Sequence, residues 1–331
     1  MFVFEYDHTN YRDLLRALAT ALGTPIKDNR LLYPSHVAIG FAQYIEMRGD
    51  LQAMAFDYTF TDHCRLKRKK IKEEFYTLWF TELIPKGAVQ VFLDDDHYQV
   101  DHTAFSTALL TSSLFDANYE LPEGTGAKGI NILLDNQWLI HHFGVDSQSG
   151  LLHKYLSLKA SRITIEPLDI EYKKLIHEII DQVNGSSQFK QVAIQNRIML
   201  LIERFFMRMA VKMETDSLDL KLSREDINRV MEIESLITRD VFSPAPFIPE
   251  LAKMVNISET KLKNNFKTVY GLPIYQYFQK ARMRAARDVL ETNKYSIKQV
   301  ALELGYTNLS NFSTAFRKEF GILPSQLNSI V

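Results

Sequence analysis

The sequence predicts an α+β chain: an N-terminal antiparallel β barrel or sandwich with a helical layer, followed by an all-α C-terminal domain with two helix-turn-helix motifs. Three observations point there. Residues from about 31 to 165 alternate short β-rich runs with Gly, Asp, Asn and Pro, as all-β domains of many short strands do. Beyond Glu166-Pro167 the apolar period lengthens from two to the three-to-four spacing of helices. From Pro249 onward a helix-turn-helix pattern occurs twice, at an offset of 49 residues.

Composition narrows the function classes. The 331 residues, 46% hydrophobic and 24% charged, suit two domains, and 21 Phe, 15 Tyr and 2 Trp are too much buriable surface for a disordered chain. Cys64 is the sole cysteine, which excludes an intrachain disulfide and a thiolate zinc site within one chain, and favours a reducing compartment. The segment Met1-Phe-Val-Phe-Glu-Tyr-Asp lacks the basic and apolar regions of a secretion signal, and no apolar run approaches about 18 residues. The expectation is a cytoplasmic protein without membrane contact. Net charge is −1, yet residues 250–320 hold 12 Lys/Arg against 6 Asp/Glu, leaving −7 on the remainder. A basic third on an acidic body predicts a polyanion-binding module. All nine histidines precede Glu178, so that third lacks the usual nitrogen ligands of a metal nuclease.

Within the first domain, residues 1–166, strands are expected at 52–60, 74–81, 89–93 and 128–134, and the glycines of 122–129 mark a turn between strands. Phe75, Tyr76, Trp79 and Phe80 are core residues or the lining of a pocket. The basic run Arg65-Leu-Lys-Arg-Lys-Lys-Ile-Lys reads as a solvated hairpin edge, where lysines discourage pairing between molecules. Asp94-Asp-Asp-His97-Tyr-Gln-Val-Asp101-His102, with His141, His142 and His153, offers metal donors; Asp94 to Asp96 follows a strand and reads as a polar turn.

Residues 167–222 read as a helical linker or dimerisation region. Ile170, Leu175, Ile176, Ile179, Ile180 and Val183 form one apolar face ending at Asn184-Gly185. A long helix over 187–213 carries two stripes, Ile194, Ile198, Leu201, Phe205 and Met199, Ile202, Phe206, Met209. One stripe can cover the sheet; the other meets either a second helix of the same chain or a second copy. Residues 215–223 are a linker, and Ser223 caps a helix that opens the third region, 223–331.

In the first repeat Pro249 starts a helix, Leu251, Ala252 and Val255 are apolar, and Asn256 takes the turn. In the second, Ser296 and Gln299 form a capping box, and Ile297, Val300, Ala301 and Leu304 lead to Gly305. The small Ala four residues before each turn lets two helices approach, and Gly or Asn accepts a left-handed backbone. Each following helix has an apolar face: Leu262, Phe266 and Val269, then Phe312, Ala315, Phe316 and Phe320. The opposite faces expose hydrogen-bonding and basic types able to meet base edges and phosphates. Residues 274–290 form a connecting helix of about 25 Å, which suits two helices entering successive major grooves.

Here the chain closely resembles the AraC/XylS family of bacterial transcription regulators, over residues 248–327. The run Ile297-Lys-Gln-Val-Ala-Leu-Glu-Leu-Gly-Tyr-Thr-Asn-Leu-Ser-Asn-Phe-Ser-Thr-Ala-Phe-Arg-Lys-Glu-Phe-Gly-Ile-Leu-Pro-Ser-Gln carries nearly all of the family signature, and Tyr277, Arg282, Met283, Ala286 and Leu290 match its connecting helix. The resemblance implies a sequence-specific regulator rather than an enzyme, without a cofactor, that binds double-stranded DNA as a homodimer and works with RNA polymerase. It assigns base-facing roles to Thr260, Lys263 and Asn264, with Lys267 on the same face, and to Leu309, Ser310, Asn311, Ser313 and Thr314. It assigns phosphate contacts to Arg317 and Lys318. Asn256 departs from the family's Gly, and Thr314 stands where several members have Arg, which alters base readout by the second helix.

The same resemblance implies a cupin-like sensor barrel that binds a small-molecule effector of unknown identity. Segments around 178–203 and 261–271 are similar to the pyochelin-regulator branch, whose members sense iron-siderophores. Two alternatives stand beside this reading. One is a cupin-like metal-dependent enzyme with a DNA-binding appendage, its metal held by His97, His102 or His141; the other is a regulator controlled by a partner protein.

Overall fold

The structure, a computed structural model, describes residues 1–7, 10–48, 51–73, 75–84, 86–93, 96–100, 105–143, 166–215, 222–244 and 247–329. The chain divides into two compact units, Met1–Lys221 and Leu222–Val331.

The first unit is built on two facing sheets. One has the strand order β1 (Phe2–Tyr6), β6 (Cys64–Arg68), β11 (Ala117–Leu121), β8 (Val89–Leu93), β9 (Asp96–Val100). The other runs β13 (Glu166–Pro167), β10 (Phe105–Ser112), β7 (Phe75–Ile84), β12 (Gly126–Asp135), β5 (Gln52–Phe60), β4 (Ala38–Glu46), β3 (Arg30–Leu32), β2 (Ile26–Lys27). Among the described residues both sheets keep free ends, so of the two expected forms this is the sandwich and not a closed barrel. All pairings are antiparallel except β1 with β6. The turn after β11 crosses from one sheet to the other, with Gly124 left-handed at φ 79°.

The central strands are apolar on both faces because both are covered. Leu78 and Phe80 of β7, Ala53 and Ala55 of β5, Ala108 and Leu110 of β10, and Ile130 and Ile132 of β12 join one core with α3 (Ile170–Asn184) and α4 (Lys190–Thr215). The alternate residues look toward the other sheet and α1 (Tyr11–Leu22), where Asn10 caps the helix start and left-handed Gly23 its end.

Residues 170–215 form the helical layer expected on the sheet, and one expectation, the hairpin edge, needs correcting. Ile194, Ile198, Leu201, Ile202, Phe205, Phe206 and Met209 are buried in the unit's own core, so both stripes are spent within the chain, and only Met199 among the eight is exposed. The basic run does not form an edge: β6 lies between β1 and β11, and Arg68 is buried, donating to Thr111 Oγ1 at 3.1 Å and to the carbonyls of Ser112 and Phe115 at 2.9 and 3.2 Å. Gly185 does cap α3, accepting no left-handed turn at φ −80° but donating to the Asp181 and Gln182 carbonyls.

The start of α3 shows how the layer is pinned. Asp169 accepts from the backbone N–H of Glu171 and Tyr172 at 3.0 and 3.1 Å, and its other oxygen takes Arg208 Nη1 at 2.6 Å. Arg208 Nε reaches Glu166 at 2.6 Å, tying α4 to β13. Both carboxylates are buried, so the pairing with arginine is what makes their burial tolerable.

The second unit is helical: α5 (Arg224–Arg239), α6 (Ile248–Met254), α7 (Glu259–Tyr270), α8 (Ile274–Glu291), α9 (Ile297–Glu303), α10 (Leu309–Phe320) and a 3-10 turn, Pro324–Ser329. Ser223 caps α5 as expected, accepting from Asp226 N at 3.1 Å. No helix among the described residues is long and apolar enough to cross a membrane.

Candidate nucleic-acid interface

The two helix-turn-helix units superpose in sequence with one change of register. Helices α6 and α9 have equal length and lie 49 residues apart, as do the turn residues Asn256 and Gly305, with φ 53° and 74°. In both, the small residue of the first helix accepts from beyond the turn: Ile257 N to Ala252 O at 3.1 Å, Tyr306 N to Ala301 O at 2.9 Å. The following helices α7 and α10 are offset by 50, because the second turn contains one more residue. Ser258 and Asn308 cap them, and left-handed Gly271 and Gly321 end them.

The inward faces are as the apolar spacing predicts. Leu262, Phe266, Val269, Phe312 and Phe316 are buried, and Phe266 packs edge-on against Tyr277 of α8 at 5.4 Å. Asn265 is also buried although the pattern does not mark it. On the outward face of α7, Thr260, Lys263, Asn264 and Lys267 are exposed together. Lys263 Nζ meets Glu259 one turn back at 3.1 Å, a solvated pair that a phosphate can replace. Lys261, on the neighbouring stripe, is held at 2.9 Å by Asp226 of α5, and its ammonium keeps that carboxyl below the usual range.

On α10, Leu309, Ser310, Asn311, Thr314, Arg317 and Lys318 are exposed and Ser313 is half-buried. All of them except Asn311 line one concavity, whose far wall is Ile297 and the segment Leu323, Pro324, Ser325. Thr314 donates to the Ser310 carbonyl at 2.8 Å, so its methyl and hydroxyl lone pairs are what it offers outward. The 3-10 segment forming the far wall carries no signal in the apolar spacing.

The connecting helix α8 fixes the two helix-turn-helix motifs to one another. It has 18 residues, about 27 Å at 1.5 Å each. Tyr277 donates from its hydroxyl to buried Glu234 of α5 at 2.8 Å. Buried Arg282 donates to the carbonyls of Val241, at 2.9 Å, and Leu304, in the turn of the second unit. Lys280 and Arg284 approach Glu319 of α10 at 3.7 and 3.8 Å. Arg282 and Glu234 have structural roles that apolar spacing does not show, since each partner lies tens of residues away.

In the first unit, an apolar cavity of about 220 Å³ lies between the two sheets under α1. Of the four aromatics from 75 to 80, Trp79 lines it, while Phe80 and Tyr76 face the helical layer. The expected metal donors do not converge among the described residues. Asp96 and His97 lie on β9, opposite Leu93 and Phe92 of β8. His141 and His142 are exposed on α2 (Asn136–Phe143), where His142 stacks on Trp138 at 4.1 Å. Asp94, Asp95, Asp101, His102 and His153 lie outside the described residues.

Two turn-linked helix pairs on one connecting helix define the C-terminal unit as a double helix-turn-helix domain. The family described as a helix-turn-helix domain matches residues 251–329, about a quarter of the chain, and this part is similar to AraC-type regulators. The HTH-type transcriptional activator RhaR of Mannheimia succiniciproducens is 26% identical over 165 residues, 50% of this chain and 52% of the relative. The virulence regulon transcriptional activator VirF of Yersinia enterocolitica is 32% identical over 79 residues, 24% of this chain and 29% of the relative. The chain thus spans about half or less of the length of these curated relatives. Among solved structures, unsaturated fatty acid-bound ToxT of Vibrio cholerae strain SCE256 aligns over 85% of this chain and 96% of its own, at 14% identity and a TM-score of 0.31.

Proposed function

We propose that the chain is a cytoplasmic, sequence-specific regulator of transcription, reading double-stranded DNA with α7 and α10 in adjacent major-groove segments. The repeated exposed face carries this reading: two capped helices of equal length, each held behind a left-handed turn and rich in amide, hydroxyl and basic groups. Thr260, Lys263, Asn264, Leu309, Ser310, Asn311, Ser313 and Thr314 meet base edges. Lys267, Arg317 and Lys318 displace counterions from phosphates. Homodimer formation and contact with RNA polymerase belong to the same reading, which is that of a regulator and not an enzyme. The dimer contact, if it uses α4, uses the exposed Val192, Leu200, Met207 and Val211 rather than the buried stripes.

The N-terminal unit is the effector domain. The cavity supports a small molecule as the controlling partner, because a regulator worked only by a docked protein needs no hollow between its sheets. An effector acts by binding the DNA-competent arrangement more tightly than the alternative.

Selection of bound sequences from random duplex DNA, at two salt concentrations, tests the DNA reading. The expected result is a motif with two elements about ten base pairs apart, weakening steeply with salt. Absence of any enriched motif, with the full chain and with residues 222–331 alone, would overturn it.

A further inference from the structure

The cavity's walls specify the chemistry of what can enter it. Strand alternation divides the sheet residues cleanly: Trp79, Thr81 and Leu83 of β7 and Ala127 and Asn131 of β12 face the cavity, while their neighbours face the helical layer. Phe56, Tyr58 and Phe60 of β5 supply a row of rings, tilted against one another at 5.6 and 4.9 Å between centroids. At about 220 Å³ the space exceeds the roughly 150 Å³ of an apolar cavity able to take benzene, and falls below the roughly 300–1,000 Å³ of drug-sized sites. One or two fused rings fit within it.

Charge is excluded by the same walls. No Lys, Arg, His, Asp or Glu is among the described residues that line the cavity. A carboxylate or ammonium placed there would lose its hydration and meet no opposite charge on the wall itself, since the nearby buried Arg68 behind Tyr119 already donates to Thr111, Ser112 and Phe115. The tyrosines of the wall stay neutral as well, since burial raises the hydroxyl pKa of Tyr33, Tyr58 and Tyr119.

The wall's polar groups include Thr81, Thr107 and the Tyr119 hydroxyl, itself buried without a hydrogen-bond partner among the described residues, and one donor–acceptor pair stands on adjacent strands. Trp79 and Asn131 stand directly opposite each other on paired strands β7 and β12. Trp79 Nε1, a donor, and Asn131 Oδ1, an acceptor, are both closed to solvent and have no hydrogen-bond partner among the described residues. Buried groups of this kind almost always find a partner, and leaving one unmet is destabilising. Trp79 cannot turn its N–H away freely, because its ring packs against Tyr119 at 5.1 Å. A hydroxyl accepts one hydrogen bond and donates another, so a single hydroxyl meets both requirements.

We propose that the cavity binds a small neutral aromatic alcohol, its ring system among Phe56, Tyr58 and Phe60 and its hydroxyl bridging Trp79 and Asn131. The proposal rests on the reading of this unit as an effector domain and names the chemical class of that effector.

The test is calorimetric titration of the full-length protein at pH 7 with three probes of one shape: 2-naphthol, 2-naphthoate and naphthalene. The expected order is 2-naphthol first, naphthalene about tenfold weaker and 2-naphthoate at least 100-fold weaker. Asn131→Leu and, separately, Trp79→Phe should each weaken 2-naphthol about tenfold and leave naphthalene unchanged. Unaltered naphthalene binding shows that a variant keeps the folded cavity. Naphthoate binding as tightly as naphthol, or both variants binding naphthol normally, would overturn the ligand class while leaving the effector cavity in place. Failure of all three probes, naphthalene included, would overturn the cavity as a binding site.

Discussion

Asn256 and Gly305 stand at the same point of the two helix-turn-helix units, both left-handed, at φ 53° and 74°. Glycine is free of strain there and asparagine nearly so, whereas a residue with a branched or plain Cβ pays about 1–2 kcal/mol. Asn256→Gly should therefore leave the melting temperature of the full-length protein unchanged or slightly raised, and Asn256→Ala and Gly305→Ala should each destabilise the C-terminal unit by about 1 kcal/mol. Thermal unfolding followed by circular dichroism checks this; equal stability of Gly305→Ala and the parent would show that the turn relaxes out of the left-handed region.

Arg282 is the strut between the connecting helix and the second turn, accepted by the carbonyls of Val241 and Leu304. Burial lowers its pKa but cannot discharge a guanidinium, so the two carbonyls must carry it. Arg282→Met keeps the length and removes both donors, which should cost about 2–4 kcal/mol and abolish DNA binding. Arg282→Lys, with one donor centre for two carbonyls, should recover part of the stability. Urea unfolding of the two variants would show the order parent, Lys, Met; a Met variant as stable as the parent would remove Arg282 from this role.

How much of this was legible in the sequence follows from the range of each interaction. The caps Ser223 and Ser296, the turn residue Asn256, the apolar faces of α7 and α10, and the strands β5, β7, β8 and β12 are read from neighbours within a few residues, and they stand where the spacing puts them. Sheet order is different. The basic run at β6 has an edge-like composition, yet β1 pairs with it in parallel from more than 60 residues away, and no local pattern announces that partner. Likewise the apolar width of α4 showed burial without naming what buries it, and α3 with the sheet proved sufficient. The cavity was the least legible feature, because Trp79 and Phe80 differ only in which face of β7 they take.

Contacts to phosphate and to bases should separate by salt. Arg317 and Lys318 lie in the last turn of α10 on the concavity's rim, whereas Ser310 and Thr314 lie toward its start. Arg317→Ala and Lys318→Ala should weaken binding to every duplex alike and each lower the salt slope by about 1. Ser310→Ala, and Lys263→Ala or Asn264→Ala on α7, should instead change base preference at single positions at a cost of about 1–3 kcal/mol. Binding to a selected operator and to scrambled DNA, over a salt series, distinguishes the two groups; a uniform loss for Asn264→Ala would make it a backbone contact.

Cys64 offers a probe of the N-terminal unit. It is the one cysteine of the chain and is 1% exposed, among Ala38, Phe60, Val89 and Leu121. Burial, with the nearby Asp62 carboxylate adding to it, pushes its thiol up to about 12. The thiolate is the reactive species, so at pH 8 the folded protein should react with iodoacetamide about a thousandfold more slowly than the unfolded chain, whose thiol titrates near 8.5. The sign for stability follows: the folded state holds this proton more tightly, so the contribution is complete below about pH 8.5 and is lost as pH rises toward 12. Tyr33 and Tyr58, also raised by burial, add a loss beginning near their ordinary value of 10, so Cys64→Ala should remove only the earlier part of the alkaline decline. Labelling rates across pH 7–9, set against melting temperatures for the parent and Cys64→Ala, test both halves; rapid labelling of the folded protein at pH 8 would mean that the sheet opens around Cys64 far more often than its burial implies.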